Sequence, residues 1–218
     1  MNDFPTTGFA RTRAGAQAAS ATLLGQVMFL VAVALGFLTA GALIGQDLSQ
    51  KTAFICFMAG FVMLLAQSFG GQRLRVGALA VGWLYAVALL LGLGLGPTIA
   101  FFVANDGTVL TQAAGGTALI VLGMGAAGFA LSKDLAGWMR PLSFVILGCV
   151  VVSFVLLLFS SGGNPILSAI VAIVSALLIM VDFNYLRQHG TADDAVWLAT
   201  GIFVSIVNIF LSLLNLLR

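Results

Sequence analysis

One acidic residue lies inside an apolar stretch of this 218-residue chain. Asp182 follows the apolar run that ends at Val181 and precedes the aromatic Phe183. Ser175 and Ser168 stand seven and fourteen residues earlier, and this heptad spacing places all three polar residues on nearly one face of a helix. A carboxyl group in such a position is a candidate for sensing pH or for binding a cation.

The last apolar stretch of the chain carries a matching polar stripe. Its members recur at intervals of three, four and three residues and are Ser205, Asn208, Ser212 and Asn215. Polar groups in hydrocarbon find partners on neighbouring helices. We therefore expect the two stripes to face each other, with Asp182 hydrogen-bonded near Ser205 or Asn208.

Both stripes also have a simpler interpretation. Serine and asparagine between membrane helices often serve only as packing contacts, worth about 0.6 to 2 kcal/mol each. Asp182 stands near the end of its apolar run, where it could be hydrated and close to Arg187. The other interpretation is a buried, titratable acid that faces the interior of a helix bundle.

The composition indicates the kind of protein in which these residues lie. Hydrophobic residues make up 61% of the chain, charged residues only 7%, and the mean hydropathy is +1.15. A water-soluble domain carries about 25% charged residues, so most of this surface must face lipid. The net charge of +2 gives no basic surface for nucleic acid. We expect no cofactor, no metal site and no enzymatic activity.

Seven apolar segments are long enough to cross a hydrocarbon core of about 30 Å at 1.5 Å per residue. The chain is therefore predicted to be an all-α integral membrane protein, with residues 1–20 as a cytoplasmic tail and residues 21–218 as one membrane domain. The predicted spans are Thr22–Gly45, Thr52–Phe69, Val76–Gly96, Thr111–Leu131, Pro141–Phe159, Pro165–Arg187 and Ala195–Arg218.

The distribution of arginine and lysine predicts the orientation of these spans. Cytoplasmic loops of membrane proteins carry an excess of positive residues. With the N-terminus inside, seven of the nine positive residues fall on the inside, and only Lys51 and Arg218 fall outside. The seven are Arg11, Arg13, Arg73, Arg75, Lys133, Arg140 and Arg187. The pattern predicts a cytoplasmic N-terminus and an outer C-terminus in an inner membrane, with the lipid bilayer as the surrounding partner.

Glycine and proline interrupt the third span near its predicted end. The segment from Gly92 to Pro97 contains three glycines and one proline, which weaken a helix and allow close approach of another backbone. We therefore expect a helix break at Gly94, Gly96 and Pro97. Such a break either lines a cavity or belongs to close helix packing at the end of the span.

Several stretches resemble the Bax inhibitor family, and most closely its bacterial YccA-like branch. These stretches cover the chain from the third span onward, and the last of them is the most specific. They are Gly94–Pro97, Gly115–Leu119, Ser132–Leu135 and Phe203–Phe210.

The resemblance implies a fold of seven helices with six arranged around the last one. It also implies one of two activities. One branch consists of pH-sensitive calcium leak proteins with two facing aspartates, whereas YccA-like members modulate the membrane AAA protease FtsH.

This chain departs from the calcium-leak pattern at one position. Asp182 matches the acid of the sixth span, but Ser205 stands where the leak proteins have the second aspartate. Two close carboxylates share a proton and so change each other's ionisation, and that coupling is lost here. Serine is the residue of the YccA-like branch. The resemblance therefore favours an FtsH modulator of the bacterial inner membrane, with a cation leak (calcium or protons) through Asp182 as the alternative.

Overall fold

The computed structural model describes the backbone of residues 7–71, 74–159 and 164–218, and the side chains of residues 20–68, 70–71, 74–153 and 164–218. The described residues form seven helices that are long and apolar enough to cross a membrane, and they contain no strand. The predicted all-α membrane fold is thus confirmed. The helices are α1 (Thr7–Gly45), α2 (Gln50–Phe69), α3 (Ala78–Asn105), α4 (Gly107–Ala130), α5 (Ala136–Phe159), α6 (Pro165–Gln188) and α7 (Ala195–Leu217).

Helix α1 extends well before the first predicted span. It contains 39 residues, which at 1.5 Å per residue is about 58 Å and exceeds the thickness of the hydrocarbon core. Residues 7–20 of the predicted tail therefore belong to the same continuous helix as the first span. Residues 1–6 of that tail, the side chains of Arg11 and Arg13, and the predicted inner residue Arg73 lie outside the described residues.

Short polar side chains begin three of the helices. Ser49 accepts a hydrogen bond from the Thr52 N–H at the start of α2. Asp106 accepts from the Val109 N–H at the start of α4. Asn164 accepts from the first N–H groups of α6, just before Pro165 occupies the first helical turn. These caps satisfy donors that have no intrahelical partner, and they fix where each span begins.

Helix α7 lies at the centre of the bundle and is its most buried helix. It contacts α1, α3, α4 and α6 along its length. The outer helices α2 and α5 pack mainly on α3 and α6 respectively, and Gln67 of α2 reaches α7 through a hydrogen bond to Thr200. The polar face of α7 is consequently enclosed by protein rather than by lipid.

The predicted break at Gly94, Gly96 and Pro97 is wrong, because α3 continues as one helix from Ala78 to Asn105. Pro97 has no N–H for the carbonyl of Leu93, the residue four positions earlier. That carbonyl lies directly against Gly45 of α1. Proline is tolerated inside membrane helices where neighbouring helices accommodate the freed carbonyl, and this is the case here.

Glycines allow α1 and α3 to touch backbone to backbone. Gly41 and Gly45 on α1 face Gly92 and Gly96 on α3, with spacings of four residues on both helices. A Cβ atom added at Gly92 would overlap the carbonyl oxygen of Leu38 and lie 2.9 Å from its carbonyl carbon, too close for any side chain. Small residues at such spacing permit tight packing of membrane helices. The glycine segment of α3 thus serves helix packing, one of the two outcomes that the sequence left open.

The outer surface of the bundle consists of large apolar side chains. The most exposed are on α1, α4, α5 and α6, and include Ile44, Leu119, Phe144 and Ile166, each at least 70% exposed. Water would penalise a continuous surface of this kind, whereas acyl chains match it. The chain is a multi-pass membrane protein in contact with the lipid bilayer.

The α1–α3 contact predicts different effects for two glycines of the same helix. Gly92→Ala places a methyl group against the α1 backbone and should destabilise the protein by roughly 1–3 kcal/mol, the usual cost of overpacking. Gly82→Ala should be neutral or slightly stabilising, because nothing lies within 4 Å of its added Cβ. Thermal unfolding in detergent measures both. Equal unfolding temperatures for the two variants would contradict the backbone contact.

Candidate functional site

Helices α6 and α7 pack antiparallel, and their polar residues follow one register. At the outer end, the Asn215 amide donates a hydrogen bond to the Ser168 hydroxyl at 2.7 Å. Asp182 lies fourteen residues after Ser168 on α6, and Gly201 lies fourteen residues before Asn215 on α7. These two residues are in contact. Midway between the two contacts, the register places Ser175 level with Asn208. We call these six residues the α6–α7 seam.

Asp182 is buried at the inner end of the seam. Its side chain is 6% exposed, and it precedes the end of α6 by six residues, or about 9 Å. One carboxyl oxygen lies 3.2 Å from the position that a Cβ at Gly201 would occupy. The missing side chain of Gly201 therefore provides the space for the carboxyl group.

The expected bond between Asp182 and Ser205 or Asn208 is not formed. Within the described part of the chain, the carboxyl group has no protein hydrogen-bond partner. Asn208 stands seven residues beyond Gly201, about 10 Å along the helix axis, so it is out of reach. The spacing in the sequence predicts that Ser205 and Asn208 lie on one face of α7. It does not predict which residues of α6 lie at the same level.

Arg187 does not pair with Asp182 either. Its guanidinium group donates to the carbonyl of Leu131, at the end of α4. The interpretation in which Asp182 is a hydrated group beside Arg187 is thus replaced by a buried acid that faces α7.

The remaining polar residues of α7 all lie within the bundle. Ser205 and Ser212 are buried, and Asn208 and Asn215 are half-buried. Ser175 on α6 is fully buried, and its hydroxyl has no hydrogen-bond partner among the described residues. The two predicted stripes are thus enclosed between helices, although only Ser168 and Asn215 bond to each other directly.

Asn184 is a buried residue outside the two predicted polar stripes. It is fully buried and holds the segment that links α4 to α5. Its carbonyl oxygen accepts from the Leu135 N–H at 2.9 Å. Its amide group donates to three carbonyls, those of Gly128, Leu131 and Lys133, at 3.0–3.2 Å. We call this set of four bonds the Asn184 clamp. The sequence does contain a signal for it, because Asn184 is an asparagine inside an apolar span, two residues from Asp182.

Two further contacts extend the clamp to the surface. Gln188 donates to the Lys133 carbonyl at 3.1 Å, and the His189 ring lies 2.8 Å from a carboxyl oxygen of Asp134. The pKa of Asp134 is lowered, first by the Ala136 N–H that bonds its carboxylate and then by His189. Because this pKa is lowered, the ionised Asp134 side chain stabilises the fold at pH values above the pKa of a free aspartate. This contribution is lost as the pH falls through the lowered pKa.

A second buried amide joins α2 to α7 near the level of Asp182. The Gln67 amide donates to the Thr200 hydroxyl at 3.1 Å, and Thr200 donates to the carbonyl of Val196. The Gln67 carbonyl oxygen is buried without a partner among the described residues. Because Thr200 directly precedes Gly201, the Gln67–Thr200 hydrogen bond lies next to the contact between Gly201 and Asp182.

The described residues contain no group of three metal-ligating side chains. Helix α7 itself has no acidic, basic or histidine residue between Ala195 and Leu217. The arrangement therefore offers one intramembrane carboxyl group opposite a glycine, rather than a pair of carboxylates.

A family model described as an inhibitor of apoptosis-promoting Bax1 matches residues 20–218, nearly the whole chain. The chain belongs to the Bax inhibitor family. The match covers all seven membrane-spanning segments, so the family assignment and the observed fold concern the same part of the molecule.

Individual relatives come from bacteria, plants and animals. An uncharacterized protein of Pseudomonas aeruginosa, PA2604, is 30% identical over 86% of this chain and 84% of its own length. Protein LIFEGUARD 2 of Arabidopsis thaliana is 29% identical over 67% of this chain and 61% of its own. Human Bax inhibitor 1 is 29% identical over 72% of this chain and 66% of its own. The Bax inhibitor family assignment thus agrees with the resemblance found from the last-helix motif.

The Asn184 clamp generates a prediction about stability. Asn184→Ala removes all four hydrogen bonds and leaves a cavity, so the free energy of unfolding should fall by roughly 2–4 kcal/mol. The matched control is Asn105→Ala, because Asn105 is exposed and bonds only to the carbonyl of Phe101 in its own helix. Thermal unfolding in detergent measures both variants. Equal losses at the two positions would refute the clamp as a stabilising contact.

Proposed function

We propose that this protein is a non-enzymatic, multi-pass protein of the bacterial inner membrane in which Asp182 controls a leak of protons or calcium along the α6–α7 seam. The observation that supports the proposal is the position of Asp182. It is a buried carboxyl group inside a membrane span, at one end of a line of polar residues that runs between two helices. Intramembrane acids of this kind mark ion and proton pathways in membrane proteins.

The proposed mechanism differs from that of a carboxylate pair. Gly201 faces Asp182, and Ser205 lies one turn further along α7, so no second acid shares the proton. Asp182 would act as a single titratable group, with Gly201 leaving room for the carboxyl group, a cation or water. The seam is closed at its outer end by the bond between Asn215 and Ser168, and conduction requires that this bond open.

Flux measurements in proteoliposomes test the leak. Asp182→Asn keeps the size of the side chain and removes its charge, so calcium or proton flux should fall at least tenfold and lose its dependence on pH. Asp106→Asn is the matched control, because Asp106 caps α4 outside the spans and asparagine caps a helix equally well. Wild-type vesicles without flux, or flux unchanged by Asp182→Asn, would overturn the leak proposal.

A second candidate function is modulation of the membrane protease FtsH. It rests on the YccA-like motif of the last helix and on the departure from two facing acids, since Ser205 stands where the leak proteins have the second aspartate. In this role the N-terminal segment before the first span would be the part that the protease engages. A hydrolytic machine that grips exposed chain ends requires such an accessible segment, and α1 begins at Thr7, 15 residues before the span that the sequence predicts from Thr22.

Photo-crosslinking in bacterial membranes tests the second candidate. A crosslinking amino acid at Phe4, in the N-terminal segment, should give an adduct with FtsH. The same group at Lys51 is the control, because Lys51 is predicted to lie on the opposite side of the membrane. Recovery of FtsH from neither position, or equally from both, would contradict engagement through the N-terminal segment.

A further inference from the structure

The hydroxyl group of Ser175 has an unusual environment. Its side chain is 0% exposed, and its oxygen has no hydrogen-bond partner among the described residues. Serine and threonine inside helices commonly bond to the carbonyl four residues earlier. Other hydroxyls in this chain do so, including Thr117 to Ala113 at 2.7 Å and Thr200 to Val196 at 2.8 Å. Ser175 has no such bond to Val171, and its hydroxyl is left for another partner.

The register of the α6–α7 seam shows what lies opposite. Ser168 and Asp182, seven residues to either side of Ser175, both contact α7, at Asn215 and Gly201. Ser175 shares their face of α6. The residue at its level on α7 is Asn208, which is half-buried and makes no hydrogen bond to the described protein atoms. A fully buried hydroxyl and an asparagine amide thus stand at one height without protein partners.

Unpaired polar groups at the centre of a membrane protein need a ligand that can both donate and accept hydrogen bonds. Buried waters fill this role, and they typically bond to two to four otherwise unsatisfied groups. Ser175 supplies a donor and an acceptor, and Asn208 supplies two donors and an acceptor. This donor and acceptor set fits water and holds no charge that would select an ion.

We propose that Ser175 and Asn208 form an internal hydration site midway along the seam. The site stands about 10 Å from Asp182 and about 10 Å from the Ser168–Asn215 bond, given 1.5 Å per residue. Each of these distances is longer than one hydrogen bond. A continuous path through the seam therefore needs further water molecules between the site and Asp182, and between the site and the Ser168–Asn215 bond. The hydration site itself follows from the unpaired groups, whereas its role in conduction rests on the proposed leak.

Cysteine accessibility tests the hydration site without reference to flux. In a background with Cys56→Ala and Cys149→Ala, Ser175→Cys should react with a small, membrane-permeant methanethiosulfonate at least tenfold faster than Ala88→Cys. Ala88 is also 0% exposed but lies in the apolar core of α3, where no water is expected. The reagent reacts with a hydrated thiolate that it can reach, so equal and very slow labelling of both cysteines would overturn a hydration site that exchanges with bulk water.

Flux measurements test the role of the site in conduction. Ser175→Ala should lower the flux at least fivefold while leaving the unfolding temperature nearly unchanged, because the hydroxyl has no hydrogen bond to another protein group that could be lost. Ser153→Ala is the control, since Ser153 is exposed and bonds to the carbonyl of Cys149. Flux that depends on Asp182 but not on Ser175 would refute the path while the leak proposal stands. Rapid labelling of Ser175→Cys in a protein without flux would support the hydration site and refute the leak.

Discussion

Hydrocarbon offers no hydrogen bonds, and this constraint explains where each polar side chain of the bundle lies. A polar group inside a span must find its partner on another helix, in its own backbone or in trapped water. The described residues use the first two of these solutions. Asn215 and Ser168 pair across helices, and Thr117 and Thr200 bond to their own helices. Ser175 and Asp182 lack protein partners among the described residues, and the proposals above place water or an ion at these two positions.

The same constraint distributes the hydrogen bonds of α6 unevenly around Asp182. Around Asp182, α6 is fixed on α4 by the Asn184 clamp and by the close contact of Gly128 with the Met180 backbone. On the other side the carboxyl group of Asp182 lies beside the backbone of Gly201. The hydrogen bonds described near Asp182 therefore join α6 to the α4 side, whereas the acid itself lies on the α7 side.

Glycine has two distinct uses in this protein. In α1 and α3 it removes side chains so that two backbones can touch, and the freed carbonyl beside Pro97 fits in the same contact. At position 201 it removes a side chain so that a carboxyl group can be buried. The first use lets α1 and α3 pack closely, and the second lets the seam contain a buried carboxyl group. Both follow from the absence of a Cβ atom.

The sequence by itself determined the membrane fold, the seven spans, the family resemblance and the two polar stripes, because apolar length and helical periodicity are local properties of the chain. It did not determine which residues meet. The relative height of α6 and α7 places Gly201, and neither Ser205 nor Asn208, against Asp182. The glycines and Pro97 of α3 predicted a break from local propensity, but the contact with α1 keeps that helix continuous. Asn184 was overlooked because its partners are backbone groups about fifty residues earlier. Such contacts depend on how helices stack in three dimensions, which only the tertiary structure decides.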